Sequence, residues 1–242
     1  MKYLDTNNRR DFIKQIAVVS TFVALGGIGM VIMPKLKASD IFLRPPGALD
    51  EDDFLATCIK CGQCVQVCPY HTLSLLDITK GHSVGTPFVD ARMRGCYLCD
   101  LLPCVLACPS GALEHTTSEA KDVKMGVAYL KHTNNCLAYR GENITKNHLA
   151  RILNTTASNE REQKILDDYA KYEDKPCTIC ADMCPFPQKE QAIQMVQNSE
   201  GRWLPQINDQ CIGCGVCEEL CPTKEASIVI IPRVSFTQYY KG

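Results

Sequence analysis

The stretch that decides the fold is Cys58-Ile-Lys-Cys61-Gly-Gln-Cys64-Val-Gln-Val-Cys68-Pro69. Its spacing, C-x2-C-x2-C-x3-C-P, is the bacterial ferredoxin run that wraps a 4Fe-4S cluster. Three close thiolates on a tight loop hold three iron corners, and the fourth opens a helix leading to the other cluster of a pair. Gly62 lacks a β-carbon, so backbone N–H groups can approach the cluster sulfurs there. Near the other end of the chain the run recurs complete as Cys211-Ile-Gly-Cys214-Gly-Val-Cys217-Glu-Glu-Leu-Cys221-Pro222.

Between them lie two variants. Cys96-Tyr-Leu-Cys99-Asp-Leu-Leu-Pro-Cys104-Val-Leu-Ala-Cys108-Pro109 has a wider gap before its third thiol, and Cys177-Thr-Ile-Cys180-Ala-Asp-Met-Cys184-Pro185 lacks one thiol. The four groups use all but one of the 16 cysteines, and the one left is Cys136. Met125–Leu130 reads as a strand followed by a polar turn and Cys136, the layout that Arg202–Ile207 has before Cys211. Cys136 is therefore assigned as the missing first ligand of the third group, a buried free thiol being the alternative. Four thiolates for each of four 4Fe-4S clusters then account for every cysteine. Disulfides need no such repeated spacing, and neighbours so placed are strained partners. Structural zinc prefers two separated pairs. The apolar stretches Thr72–Ile78, Gly111–Leu113, Ala192–Val196 and Ser227–Ile231 read as short strands or helices covering the clusters.

The 242 residues suffice for one ordinary domain or two small ones, and 45% hydrophobic with 22% charged residues is the composition of a folded chain. A net charge of -1 offers no field for gripping nucleic acid. The five histidines, His71, His82, His115, His132 and His148, are scattered, and no ligand position needs one. Lys60, between two ligands, is read as an exposed cation. No Ser-His-Asp set, phosphate-binding glycine loop or molybdenum-binding signature is present, so the chain has no substrate-reducing site of its own.

The N-terminus carries Arg9-Arg10-Asp11-Phe12-Ile13-Lys14, then an uncharged run from Ile16 to Met33. The pair before an apolar run resembles a twin-arginine export signal. About 18 residues is the lower limit for a helix spanning a bilayer. Residues 1–38 are thus expected to be a signal or an N-terminal anchor, since Leu36-Lys37-Ala38 is a poor cleavage site. An exported chain meets an oxidising compartment; the twin-arginine route carries folded proteins, which suits cofactors inserted beforehand.

Leu43-Arg44-Pro45-Pro46-Gly47-Ala48-Leu49 with Phe54 and the first cysteine group, Cys108-Pro-Ser-Gly-Ala-Leu113, and Met125-Gly-Val-Ala-Tyr-Leu130 resemble the NapG/MauM ferredoxin-type family, closest to its NapG branch. The resemblance covers the leader and most of residues 40–235. It implies an α+β fold, a tandem bacterial-ferredoxin-like domain over residues 39–242 with short strands and helices around four clusters. It implies a periplasmic electron carrier with three partners: a NapH-like quinol-oxidising membrane protein, a periplasmic nitrate reductase or its cytochrome subunit, and the twin-arginine export machinery. The MauM-like alternative is the same carrier serving another periplasmic oxidoreductase or its maturation.

In four-cluster relatives the first and fourth groups exchange their last cysteine, as do the second and third. Carried over, that gives Cys58, Cys61, Cys64 with Cys221; Cys211, Cys214, Cys217 with Cys68; Cys96, Cys99, Cys104 with Cys184; and Cys136, Cys177, Cys180 with Cys108. Exchange between neighbours along the chain is the alternative. This chain departs from the family in the 40 residues between Cys136 and Cys177. Leu149, Ile152, Leu153, Ile165, Leu166 and Tyr169 fall at helical spacing there, and charge is dense from Glu160 to Lys175. Residues 141–175 read as a helical hairpin elaborating the surface in solvent, with partner docking as the alternative.

Overall fold

The computed structural model describes residues 41–241. The twin-arginine motif, the apolar run and the proposed anchor lie outside the described residues. Among the described residues no helix is long and apolar enough to cross a membrane.

The chain builds the same small unit twice. In the first half, α1 (Glu51–Thr57) opens with three acidic residues in its first turn, which favours the positive end of the helix dipole, and buries Phe54. The loop of the first cysteine group follows, then the single turn α2 (Gln63–Gln66), which starts from Gly62 in the left-handed region. Strands β1 (Leu73–Leu75) and β2 (Pro87–Val89) form an antiparallel hairpin with Leu73 opposite Val89. The second group leads into α3 (Pro103–Leu106), which has Pro103 at its first position. An isolated antiparallel bridge between Ala48 and Leu113 closes the unit.

The second half repeats this order with longer strands. Strand β3 (Gly126–Leu130) precedes Cys136 and α4 (Leu137–Arg140). The interruption α5 (Lys146–Leu153) and α6 (Glu160–Ala170) comes next, followed by α7 (Ile179–Asp182) and α8 (Lys189–Ala192). Strands β4 (Ile193–Gln197) and β5 (Trp203–Ile207) form the inner hairpin, with Ile193 opposite Ile207. The last cysteine group runs into α9 (Val216–Glu219). Strand β6 (Ile228–Pro232) then pairs antiparallel with β3, Leu130 facing Ile228. A short α10 (Phe236–Tyr240) ends the described chain. The strands expected after the first, third and fourth groups are present. After the second group only the Ala48–Leu113 bridge forms.

Cysteines sit inside both apolar cores. The larger gathers Phe54, Val105, Leu113, Leu137, Leu149, Tyr169 and Leu220, while Val127, Ile193, Ile207 and Ile228 form a second core under β3 and β6. Arg44, from the stretch that carried the family resemblance, is fully buried. Its guanidinium pairs with Glu51, donates to Thr86 Oγ1 and the Pro87 carbonyl at 2.9 Å each, and lies 4.7 Å over the Phe54 ring. It ties the entering strap to α1 and β2.

The hairpin expected over residues 141–175 forms as α5 and α6; its outer face is exposed and its inner face is docked. Its neck is closed by a bridge between Asn143 and Pro176 and by Ile144 N–H to the Lys175 carbonyl at 2.9 Å. Leu149, Ile152 and Tyr169 are buried. Tyr169 Oη donates to the Leu220 carbonyl at 3.0 Å, and Asn159 Nδ2 donates to the Pro69 carbonyl at 2.8 Å. Arg151 reaches the Glu219 carbonyl and, at 3.2 Å, that of Arg92. The hairpin is therefore strapped across both halves, just beyond Cys68 on one side and beside Cys221 on the other. Its apolar face had to find a core, and the groove between the halves supplies one.

Candidate metal centres

All sixteen cysteines are free thiols. They gather in fours, recognisable from the sulfurs that lie close enough to repel one another's charge. The first quartet is Cys58, Cys61, Cys64 and Cys108. The second is Cys68, Cys96, Cys99 and Cys104. The third is Cys184, Cys211, Cys214 and Cys217. The fourth is Cys136, Cys177, Cys180 and Cys221. Cys136 thus lies with the third group, and the folded hairpin neck removes the distance that the sequence gap suggested.

This partition corrects the exchange implied by the family resemblance. The first group trades its last cysteine with the second, and the third with the fourth. The reason is topological. Hairpin β1–β2 joins the first two groups within one unit, and β4–β5 joins the last two. The helix leaving each loop therefore meets the neighbouring loop of its own half.

Quartets of this kind suit a cube of iron and sulfide better than a single ion. Among the described residues no three of Cys, His, Asp and Glu approach closely enough to hold one metal ion. A zinc site with bonds of about 2.3 Å would bring its sulfurs to about 3.8 Å of one another. The donor set is all sulfur, as cubane ligation by four thiolates requires.

Backbone N–H groups point at these sulfurs. Thr72 donates to Cys68 Sγ at 3.4 Å, Leu113 to Cys108 at 3.4 Å, Ala128 to Cys211 at 3.5 Å and Ser227 to Cys221 at 3.3 Å. Three of the four acceptors are the cysteines that precede proline, and the chain folds back to donate four to six residues later. Ligand loops turn amides inward through left-handed residues: Lys60 (φ 58°) in the first, Leu98, Leu101 and Leu102 (φ 49°, 61° and 40°) in the second. Side chains that disfavour this region are held there at a cost of roughly 1–3 kcal/mol each, a pattern typical of functional sites.

The electrostatics ask for a compensating cation. Burial, followed by the charge of neighbouring thiolates, pushes Cys64 up to about 11. Burial pushes Cys96 and Cys177 up to about 12, and holds Cys180, Cys214 and Cys217 well above the ordinary thiol value. Cys108 goes the other way. Burial raises its pKa, but hydrogen bonds from Leu113, Ser110 and Gly111 outweigh it and leave it below the ordinary thiol value. Deprotonated together, thiols packed in this way call for positive charge beside them, which an iron–sulfur core would supply.

Two stretches match known domain families. Residues 57–112 match a 4Fe-4S dicluster domain, and residues 205–224 match a 4Fe-4S binding domain. Over 93% of its length the chain is 32% identical to the ferredoxin-type protein NapG of Escherichia coli K12, covering 86% of that relative. Over the same share it is 35% identical to the methylamine utilization ferredoxin-type protein MauM of Methylorubrum extorquens, covering 90% of it. The chain belongs to the NapG/MauM ferredoxin-type family. A more distant relative, the ferredoxin-type protein NapF of Escherichia coli K12, is 25% identical over 74% of the chain. No solved structure matches. Like its NapG/MauM relatives, the chain is an iron–sulfur electron-transfer protein with two ferredoxin-type units.

Sequence reasoning missed the residues that join the two units. Glu219, between Cys217 and Cys221, is buried and accepts from Gly95 N–H at 2.7 Å and Tyr97 Oη at 3.0 Å, with Arg94 at 3.5 Å. Glu162, on α6, is buried and meets His71 Nδ1 at 2.9 Å and Ser158 N–H at 2.7 Å. A carboxylate next to a ligand cysteine and a glycine just before another were the available signals.

Proposed function

We propose that each quartet holds one 4Fe-4S cluster, four in all, and that the chain is a periplasmic electron wire. It takes electrons from a NapH-like quinol-oxidising membrane partner and passes them toward a periplasmic nitrate reductase or its cytochrome subunit. The observation that carries this reading is the gathering of sixteen thiols into four all-sulfur sets. When bound, each cluster takes up and releases a single electron. The protein's part is to hold the sulfurs, direct N–H groups at them and exclude water; hydrogen bonds to sulfur and burial set the potential. Export through the twin-arginine machinery, with an N-terminal signal or anchor, agrees with cofactors assembled before translocation.

A second reading follows from the comparisons: the MauM relatives are as similar as NapG, so the same wire could serve a different periplasmic oxidoreductase or its maturation. Anaerobic purification with iron and sulfide analysis tests the cluster count, and about 16 iron atoms per chain are expected if four thiolates hold every cluster. About 12 would leave one quartet empty, and a colourless, folded, iron-free protein would overturn the reading. Mixing the reduced protein with purified periplasmic nitrate reductase separates the two physiological roles. Rapid reoxidation supports the first, and inertness there supports the second.

A further inference from the structure

We infer that the contact of Gly95 and Cys96 with Cys214 and Gly215 is the electron bridge between the two halves, and that Gly95 is the positioning residue that sets its length. Cys96 belongs to the second quartet and Cys214 to the third. The Cys96 N–H donates to the Cys214 carbonyl at 2.7 Å. From one sulfur to the other the path runs through each residue's own β- and α-carbons and a single hydrogen bond, with no gap to cross through space. Among the backbone hydrogen bonds of the described residues, this one joins a ligand residue of one half to a ligand residue of the other.

The halves can approach this closely because two glycines face each other. A β-carbon on Gly95 would lie 2.4 Å from the Val216 nitrogen and 2.6 Å from its α-carbon. One on Gly215, whose φ is +90°, would lie 2.8 Å from the Ala91 β-carbon. These are backbone-to-backbone approaches that no rotamer change relieves at Gly95. The peptide is also clamped from several sides. Gly95 N–H binds the Glu219 carboxylate at 2.7 Å, and the Gly95 carbonyl accepts from Thr72 Oγ1 at 2.8 Å. Arg94 and Tyr97 hold the same carboxylate.

Within each half the two quartets share a loop, since Cys68 leaves the first loop for the second quartet and Cys221 leaves the last loop for the fourth, and the Cys96–Cys214 hydrogen bond joins the second quartet to the third. The quartets therefore run first, second, third, fourth, and the middle step crosses the glycine contact. Electron tunnelling falls off exponentially with distance, so a side chain wedged at Gly95 lengthens the one step that links two otherwise complete ferredoxin units.

This inference rests on the four-cluster reading, and its test separates the two. The full chain is purified anaerobically as wild type and as Gly95→Ala, and iron is counted before electron paramagnetic resonance of the reduced proteins. Wild type is expected to show spin–spin interaction that links clusters of both halves into one coupled set. Gly95→Ala is expected to keep its full iron and weaken the interaction between halves while keeping that within each half. Full iron with wild-type coupling in the variant would overturn the inference. Should the variant fail to fold or bind iron, the native protein decides: two independent pairs with no interaction between them overturn the inference, and one coupled set upholds it. Iron-free wild type would instead sink the four-cluster reading itself.

Discussion

At the scale of single residues the thiols are unequal, and Cys108 is the outlier. Its sulfur collects Leu113 N–H at 3.4 Å and the Ser110 hydroxyl at 3.7 Å. Bound to iron, a sulfur cannot donate, so Ser110 does. Hydrogen bonds to cluster sulfur favour the more negative, reduced state. Ser110→Ala is therefore expected to lower the first quartet's potential by about 40 mV, from about 1 kcal/mol for one hydrogen bond, read by redox-titrated paramagnetic resonance. An unchanged or raised potential would contradict it. Cys136→Ala addresses the ligand that no family spacing revealed. It is expected to remove about 4 of about 16 iron atoms and to spare the first three quartets. Retention of full iron would make Cys136 an ordinary buried thiol.

At the scale of elements, the α5–α6 hairpin works as a strap. Glu162 is its buried anchor. Burial opposes its ionisation, but His71, Ser158 N–H and Arg94 together bring its pKa below the ordinary carboxylate value. A lowered pKa stabilises the fold above the ordinary value of about 4.3, and that contribution disappears as pH falls through the lowered value. Glu162→Gln is expected to cost about 2 kcal/mol, as for hydrogen bonds to a charged group. Denaturant melts should find this deficit undiminished from about pH 8 to pH 5, since the carboxyl titrates below about 4.3. A deficit that shrank between those limits would put the titration elsewhere. Tyr169→Phe removes only the bond to the Leu220 carbonyl and is expected to cost about 1 kcal/mol with iron content unchanged. The two helices were legible in the spacing of Leu149, Ile152, Ile165 and Tyr169. Their docking was not, because the acceptors are main-chain carbonyls of Pro69, Glu219 and Leu220, which leave no mark on the side-chain pattern.

At the scale of the whole molecule, the four cysteine groups could be read from the chain, whereas the way they gather into quartets could not. Cysteine spacing says that a fourth thiol leaves its loop, but which loop receives it depends on how strands pair. Only the β1–β2 and β4–β5 hairpins, together with the β3–β6 closure, settle that. The thiols also give the molecule opposite pH sensitivities with and without iron. Raised thiol pKa values mean that the iron-free fold keeps its full stability below the ordinary thiol pKa of about 8.5. It loses stability as pH rises toward the values of about 11 and 12 at Cys64 and Cys96. In the loaded protein the sulfurs are already deprotonated, and protons compete with iron as pH falls. Alkali is expected to unfold the iron-free chain first, and acid to bleach the loaded one, as followed by circular dichroism and visible absorbance.

The partition also imposes a timetable on biosynthesis. A nascent chain can complete its second quartet once Cys104 has left the ribosome and its first once Cys108 has, whereas Cys136 must wait for Cys221. The N-terminal unit can therefore be furnished while its twin is still being translated, so a truncated product should emerge half-loaded rather than empty.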